Sequence, residues 1–294
     1  MSIRRSDHRP AAAHALVRLA AVVLLAGCSS AGGDETHQPT PAVLQTISDS
    51  ALAQLAQRRI FFGHQSVGFN IVQGIEEVMA ADPRVKLRLV KSATPETVDG
   101  PALVHAAVGE NTRPESKDAD FRKILEAGFG ATGDIALYKY CYVDVTPATD
   151  VTLLFEGYKR TMAALEARYP GLTFVHVTQP LVAPESALAS RLRVLLGKAS
   201  DRVLNAKRNE FNRLLVAEYG ATGRVFDLAA AESTRPDGSR VSYRLDGQTV
   251  YALAPEYTND GGHLDAEGRR HVAEQFVAFL ARLTPRSAER RVAN

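Results

Sequence analysis

The sequence predicts a three-layer α/β/α sandwich on a mainly parallel, five-stranded sheet in flavodoxin-like order. Three observations carry this. Short apolar runs alternate with longer segments of helical spacing along residues 42–284, as strands and crossover helices of a parallel sheet require. The first of these runs, Ile60-Phe61-Phe62, is continuously apolar, which suits a strand covered on both faces. The chain has 294 residues, 45% hydrophobic and 23% charged, enough for a sizeable core in one large domain or two small ones.

The elements follow in order. Residues 42–58 carry helical spacing, and the strand at Ile60–Gly63 comes next. Val67, Ile71, Val72, Ile75, Val78 and Met79 recur at helical intervals, so a helix runs from Ser66 to about Ala81, where Asp82-Pro83 breaks it. Val85 to Val90 alternates like a strand with one wetter face. A long turn-rich stretch, Ser92 to Lys117, is expected to be a functional loop. A helix over Asp118–Ala127 and a strand over Ile135–Tyr140 follow. Thr152–Tyr169 is a helix stopped by Pro170-Gly171, and Thr173–Thr178 is a strand. Residues 198–219 are helical, and Arg224–Leu228 is the last core strand. Asp246-Gly247 between alternating segments of Val241–Leu253 signals a hairpin, and Asp265 to about Leu283 is the final helix.

The N-terminus reads as a targeting segment. Arg4, Arg5 and Arg9 precede the apolar stretch Leu19–Ala26, far shorter than the ~20 residues of a spanning helix. It ends in Leu25-Ala26-Gly27-Cys28, which resembles the lipobox of bacterial lipoproteins. That resemblance implies a signal peptide over residues 1–27 and lipidation of Cys28, with membrane attachment through several acyl chains. Residues 28–41 then form a polar tether, and residues 285–294 a basic tail. Ser29, rather than aspartate, after the cysteine favours the outer membrane, on its periplasmic side. A net charge of +2 without a basic stripe gives no reason to expect nucleic acid. Cys141 has no partner in the mature chain, so it is expected to be a buried small hydrophobe.

Two stretches carry chemistry. In Gly63-His64-Gln65-Ser66 a strand gives way to a helix, which places Ser66 at the carboxyl end of a strand beside unpaired N–H groups and the positive end of a helix dipole. Serine is also a favoured helix N-cap, so this residue alone leaves both uses open. Before the last helix stands Asn259-Asp260-Gly261-Gly262-His263-Leu264-Asp265. Its two glycines allow the sharp path that could turn the Asp260 carboxylate onto His263 Nδ1 and free Nε2 to face a hydroxyl. An Asx-turn with a loop histidine is the alternative, and Asp265 is expected to cap the final helix.

Together these stretches resemble the SGNH branch of the GDSL hydrolases over roughly residues 59–284. Asp260-Gly-Gly-His263-Leu264 matches the family's closing block, and Ser66 falls at its opening serine. The resemblance implies Ser66 as nucleophile, His263 as base and Asp260 as its orienter. It implies an oxyanion hole from the N–H groups of Ser66 and Gly109. The family's G-D-S is here His64-Gln65-Ser66, and its third-block asparagine is replaced by Val143, two residues after Cys141 and one before Asp144. Asn111 is the first candidate to replace that donor; Lys139, His64 and Gln65 are further candidates for contact with substrate.

His64, His105, His176, His263 and His271 show no metal-ligand spacing, and no cofactor is expected. The expectation is a serine esterase of the cell envelope acting on a small-molecule or glycan O-acyl ester, with carbohydrate O-acetyl groups foremost. An O-acetyltransferase, or a non-catalytic glycan-binding or assembly lipoprotein, are the alternatives.

Overall fold

The computed structural model describes residues 43–197 and 199–286. The expected signal peptide, Cys28 and its tether lie outside the described residues, as does most of the basic tail. Among the described residues, β1 (Arg59–His64), β2 (Leu89–Lys91), β3 (Ala102–Ala107), β4 (Ile135–Tyr138), β5 (Thr173–Val177) and β6 (Val225–Phe226) form one sheet. Its order is β2-β3-β1-β4-β5-β6, and every pairing is parallel.

The sheet therefore has six strands where five were expected. The additional strand, β3, lies inside the stretch assigned to a loop. It takes the seat beside β1 that the flavodoxin-like order gave to Val85–Val90, and pushes β2 to the edge. Its sequence, Ala102-Leu-Val-His-Ala-Ala107, is buried through Ala106, so it has no alternation to announce it. Only Leu89 and Val90 of the expected second strand pair, joined by Lys91 beyond it, although Val85 and Leu87 are buried beside them. The last core strand is likewise shorter than expected, because Asp227 turns to cap a helix.

The helices are α1 (Asp49–Leu55), α2 (Val67–Ala81), α3 (Pro114–Ile124), the single turn α4 (Gly130–Thr132), α5 (Val151–Arg168), α6 (Ala187–Leu195), α7 (Asp201–Tyr219), α8 (Leu228–Ser233) and α9 (Ala266–Arg282). Of these, α4, α6 and α8 were not expected. Successive strand residues point to opposite faces. Ile60, Phe62, Ile135 and Leu137 join α1, α2, α8 and α9 in one core, while Phe61, Ala136, Tyr138 and Phe174 join α3, α5 and α7 in the other. The three expected layers follow from this alternation. The hairpin forms as Asp246-Gly247 predicts: both residues have positive φ, 47° and 77°, between β7 (Ser242–Leu245) and β8 (Gln248–Tyr251).

Helices α2 and α9 cross at very short range. A Cβ on Gly74 would stand 2.3 Å from the Arg269 carbonyl oxygen and 2.8 Å from the Ala273 side chain, so only glycine fits there. Glu77 pairs with Arg269 at 2.7 Å, and Asn70 Oδ1 accepts the Leu264 N–H at 3.3 Å. These contacts tie the turn that follows β1 to the turn that precedes α9.

Candidate active site

Ser66 lies between β1 and α2 with φ 50° and ψ −112°. Left-handed φ in a residue with a side chain costs on the order of 1–3 kcal/mol and persists only where the surroundings enforce it. A capping serine would sit in extended backbone and receive an N–H of the first helical turn. Ser66 does neither, and its side chain makes no cap bond. Its Oγ instead lies 2.6 Å from His263 Nε2.

The enforcing contacts come from its neighbours. His64 is fully buried, its ring laid over the first turn of α2, and a Cβ on Gly68 would meet the His64 Cβ at 2.3 Å. His64 Nε2 and His105 Nδ1 are 3.0 Å apart. Burial, reinforced by Lys139, lowers the His64 pKa to about 2, so the ring is neutral at any working pH. His64 Nδ1 has no partner. The tautomer that donates from Nε2 to His105 leaves only an acceptor unpaired, which is cheaper than an orphaned N–H. Gln65 Nε2 donates to the Gly109 carbonyl at 2.6 Å. His64 and Gln65, candidates for substrate contact, thus shape the turn.

The turn before α9 supplies the partner. Asp260 Oδ1 accepts the N–H groups of Gly262 and His263 at 2.9 and 2.8 Å, and Thr258 Oγ1 lies 3.3 Å from it. Asp260 Oδ2 faces His263 Nδ1 at 2.7 Å. The two backbone N–H groups, His263 first, and then the imidazole itself hold the Asp260 carboxyl well below the usual carboxylate range. An ionised carboxylate on Nδ1 fixes the proton there and leaves Nε2 as acceptor toward Ser66. Asp265 caps α9 through the N–H groups of Glu267 and Gly268, as expected.

The serine, imidazole and carboxylate lie in one line. No family model and no curated protein matches this chain. Among solved structures, a GDSL-like lipase from Bacteroides thetaiotaomicron is similar at 13% identity, covering 79% of this chain and 94% of its own, with a TM-score of 0.47. An acetyl xylan esterase is similar at 16% identity over 74% of this chain and 96% of its own, with a TM-score of 0.41. Both are distant likenesses of chain path, and the chemistry of this chain rests on its own side chains.

Of the expected oxyanion donors, the Gly109 N–H is engaged elsewhere and the Asn111 side chain is held by Lys117. The Gly109 N–H donates to Asp120 Oδ2 at 2.8 Å. Asn111 Oδ1 accepts from Lys117 Nζ at 3.3 Å, and Asn111 makes no hydrogen bond to Ser66 or His263. Lys139 is buried, with Nζ 3.4 Å from the Tyr140 carbonyl and 3.7 Å from Cys141 Sγ. Burial pushes its ammonium down in pKa, and burial raises the carboxyl of nearby Glu232 to about 8. Lys139 therefore belongs to the interior beneath the rim, and does not reach Ser66. Cys141 is buried and unbridged. Among the described residues, no cluster of three or more metal-ligating side chains occurs.

One residue at the rim had no signal in the sequence beyond its place after β4. Tyr142 is half-buried, its ring 5.8 Å from that of His263 in an edge-on arrangement. Its neighbour Asp144 explains its position. The Asp144 carboxylate accepts the N–H groups of Cys141 at 2.6 Å and Thr112 at 2.9 Å, and pairs with Lys117 Nζ, both side chains fully buried. Asp144 thus pins the end of β4, the loop after β3 and α3 to one point. Asp144→Asn is expected to cost about 3–5 kcal/mol of stability, because it leaves the Lys117 ammonium buried without a counter-charge. Denaturant unfolding measures this, and a loss under about 1 kcal/mol would contradict it.

A cavity of about 380 Å³ opens beside Asp260, Gly261, Gly262 and Tyr142. A larger groove of about 620 Å³ lies between α7 and the β7–β8 hairpin and touches none of Ser66, Asp260 or His263. The smaller one meets the site through Asp260, and neither Ser66 nor His263 lines it.

Proposed function

We propose that this chain is a serine-dependent ester hydrolase of the SGNH type. The observation that carries the reading is the strained Ser66, which forgoes capping so that its hydroxyl can meet His263 Nε2 at 2.6 Å. Ser66 Oγ adds to an ester carbonyl while its proton passes to Nε2. The resulting imidazolium is flanked by the Asp260 carboxylate on Nδ1. Collapse of the tetrahedral intermediate breaks the bond to the alcohol, which leaves with the proton from Nε2. Water then attacks the acyl-serine, His263 takes its proton, and Ser66 recovers that proton as the acid departs. The Ser66 N–H and the one after it, at the head of α2, would serve as backbone donors to the developing oxyanion.

The substrate class follows from the export signal and the open rim. A lipobox-like cysteine would hold the domain at the outer membrane, where O-acyl groups on envelope carbohydrates are the accessible esters. The assembled acid–base line favours catalysis over a retained, inactive fold.

The test is covalent. A fluorophosphonate probe is expected to label Ser66 and no other serine, and His263→Ala is expected to abolish labelling. A folded protein that stays unlabelled and does not hydrolyse p-nitrophenyl acetate would remove the enzyme claim.

A further inference from the structure

Resting on the esterase reading, we infer that Tyr142 is a catalytic residue whose phenolic hydroxyl donates the side-chain hydrogen bond to the oxyanion formed at Ser66. Backbone N–H groups at the head of α2 supply part of the hole, but the Gly109 N–H is taken by Asp120, and Asn111, whose Oδ1 accepts from Lys117, makes no hydrogen bond to Ser66 or His263. Tyr142 lies on the same rim, its hydroxyl over Gly262 and its ring edge-on to His263, whose Nε2 is 2.6 Å from Ser66 Oγ. A donor aimed beside Oγ, at the space where the carbonyl oxygen will sit, is what an oxyanion hole requires.

Three further contacts hold the phenol there. The Tyr142 carbonyl accepts from Arg208 Nε at 3.0 Å, and the Arg208 guanidinium lies 5.8 Å from the ring centroid. The ring stands edge-on to His263. Gly262 clears the space for the hydroxyl, since a Cβ there would approach it to 2.9 Å. One of the two glycines between Asp260 and His263 thus serves the tyrosine as well as the turn.

The phenol is also in the right protonation state. Burial, and then the Asp260 charge, push the Tyr142 pKa above its ordinary value. It remains a neutral donor wherever His263 can act as base. The hydroxyl keeps its proton throughout: during addition the only proton transferred is that from Ser66 to His263, and Tyr142 shares its own with the anionic oxygen.

The experiment compares Tyr142→Phe with wild type on p-nitrophenyl acetate, with melting temperature as the folding control. Expected is a fall in kcat of about 10²–10³-fold, typical of losing one oxyanion donor, with KM within about three-fold and Ser66 still labelled to completion by fluorophosphonate. Gly262→Ala keeps the hydroxyl but displaces it, and is expected to lower kcat in the same direction. Wild-type kcat in Tyr142→Phe, or a loss that appears in KM alone, would overturn the assignment while leaving the esterase reading intact. So would a comparable kcat loss in Asn111→Ala accompanied by none in Tyr142→Phe. An unlabelled, inactive wild-type protein would overturn both readings together.

Discussion

Ser66→Ala is expected to lower kcat toward an aryl acetate by about 10⁴–10⁶-fold, the range seen when the nucleophile of a Ser–His–Asp line is removed. Among the described residues no other hydroxyl is bonded to His263 Nε2, so none of them can take over the covalent step. His263→Ala is expected to fall as far. The double variant should be no worse than either single one, because the two groups act as a unit and removing one already abolishes the step. Burst kinetics and steady-state rates measure all three. A Ser66→Ala protein that retains more than about 1% of wild-type kcat would exclude the covalent route.

Asp260→Asn is expected to lower kcat by about 10³-fold, somewhat less than the ~10⁴ typical of this swap, because the Asp260 side chain is 58% exposed and partly solvated. The reason lies in the turn. The N–H groups of Gly262 and His263 both donate to Oδ1, so an asparagine places its carbonyl oxygen there and its NH₂ against His263 Nδ1. The imidazole proton must then move to Nε2, where it faces Ser66 and cannot accept. The same turn predicts a pH dependence. With its pKa depressed, Asp260 stays ionised as pH falls through the range where ordinary carboxylates titrate, so protonation of the orienting group does not limit activity until well below that range. The wild-type acid limb should therefore be a single-proton titration, and Asp260→Asn should lower kcat across the whole profile without adding a second acidic step. A profile with two acidic protonations in the wild type would contradict this.

The parts of this molecule that local chemistry decides were legible in its sequence. Asp260-Gly-Gly-His263 reads as a turn able to join carboxylate and imidazole because its geometry is closed within four residues. Asp246-Gly247 announces the hairpin for the same reason. Strand β3 was hidden because a buried parallel strand rich in alanine has neither alternation nor β-branched bias, and Gly100-Pro101 and Gly109 around it look like loop. The α-helical turn at Leu228 was hidden because Asp227 can end a strand as readily as it caps a helix. The donors around Ser66 were least legible. Whether the Gly109 N–H is free depends on Asp120, and where the Asn111 side chain is held depends on Lys117, both of which helix α3 brings back from further along the chain. Tyr142 owes its place to Asp144 and Gly262, contacts that no local pattern encodes.

The close crossing of α2 and α9 at Gly74 has a bearing on how such a protein can change. Nucleophile and base stand at the leading ends of two rods locked backbone against backbone, with Asn70 and Glu77 as cross-ties. The reactive alignment is therefore inherited as one rigid cassette. Segments outside that pair, such as α6 and the β7–β8 hairpin, can be lengthened or trimmed without moving the Ser66–His263 contact.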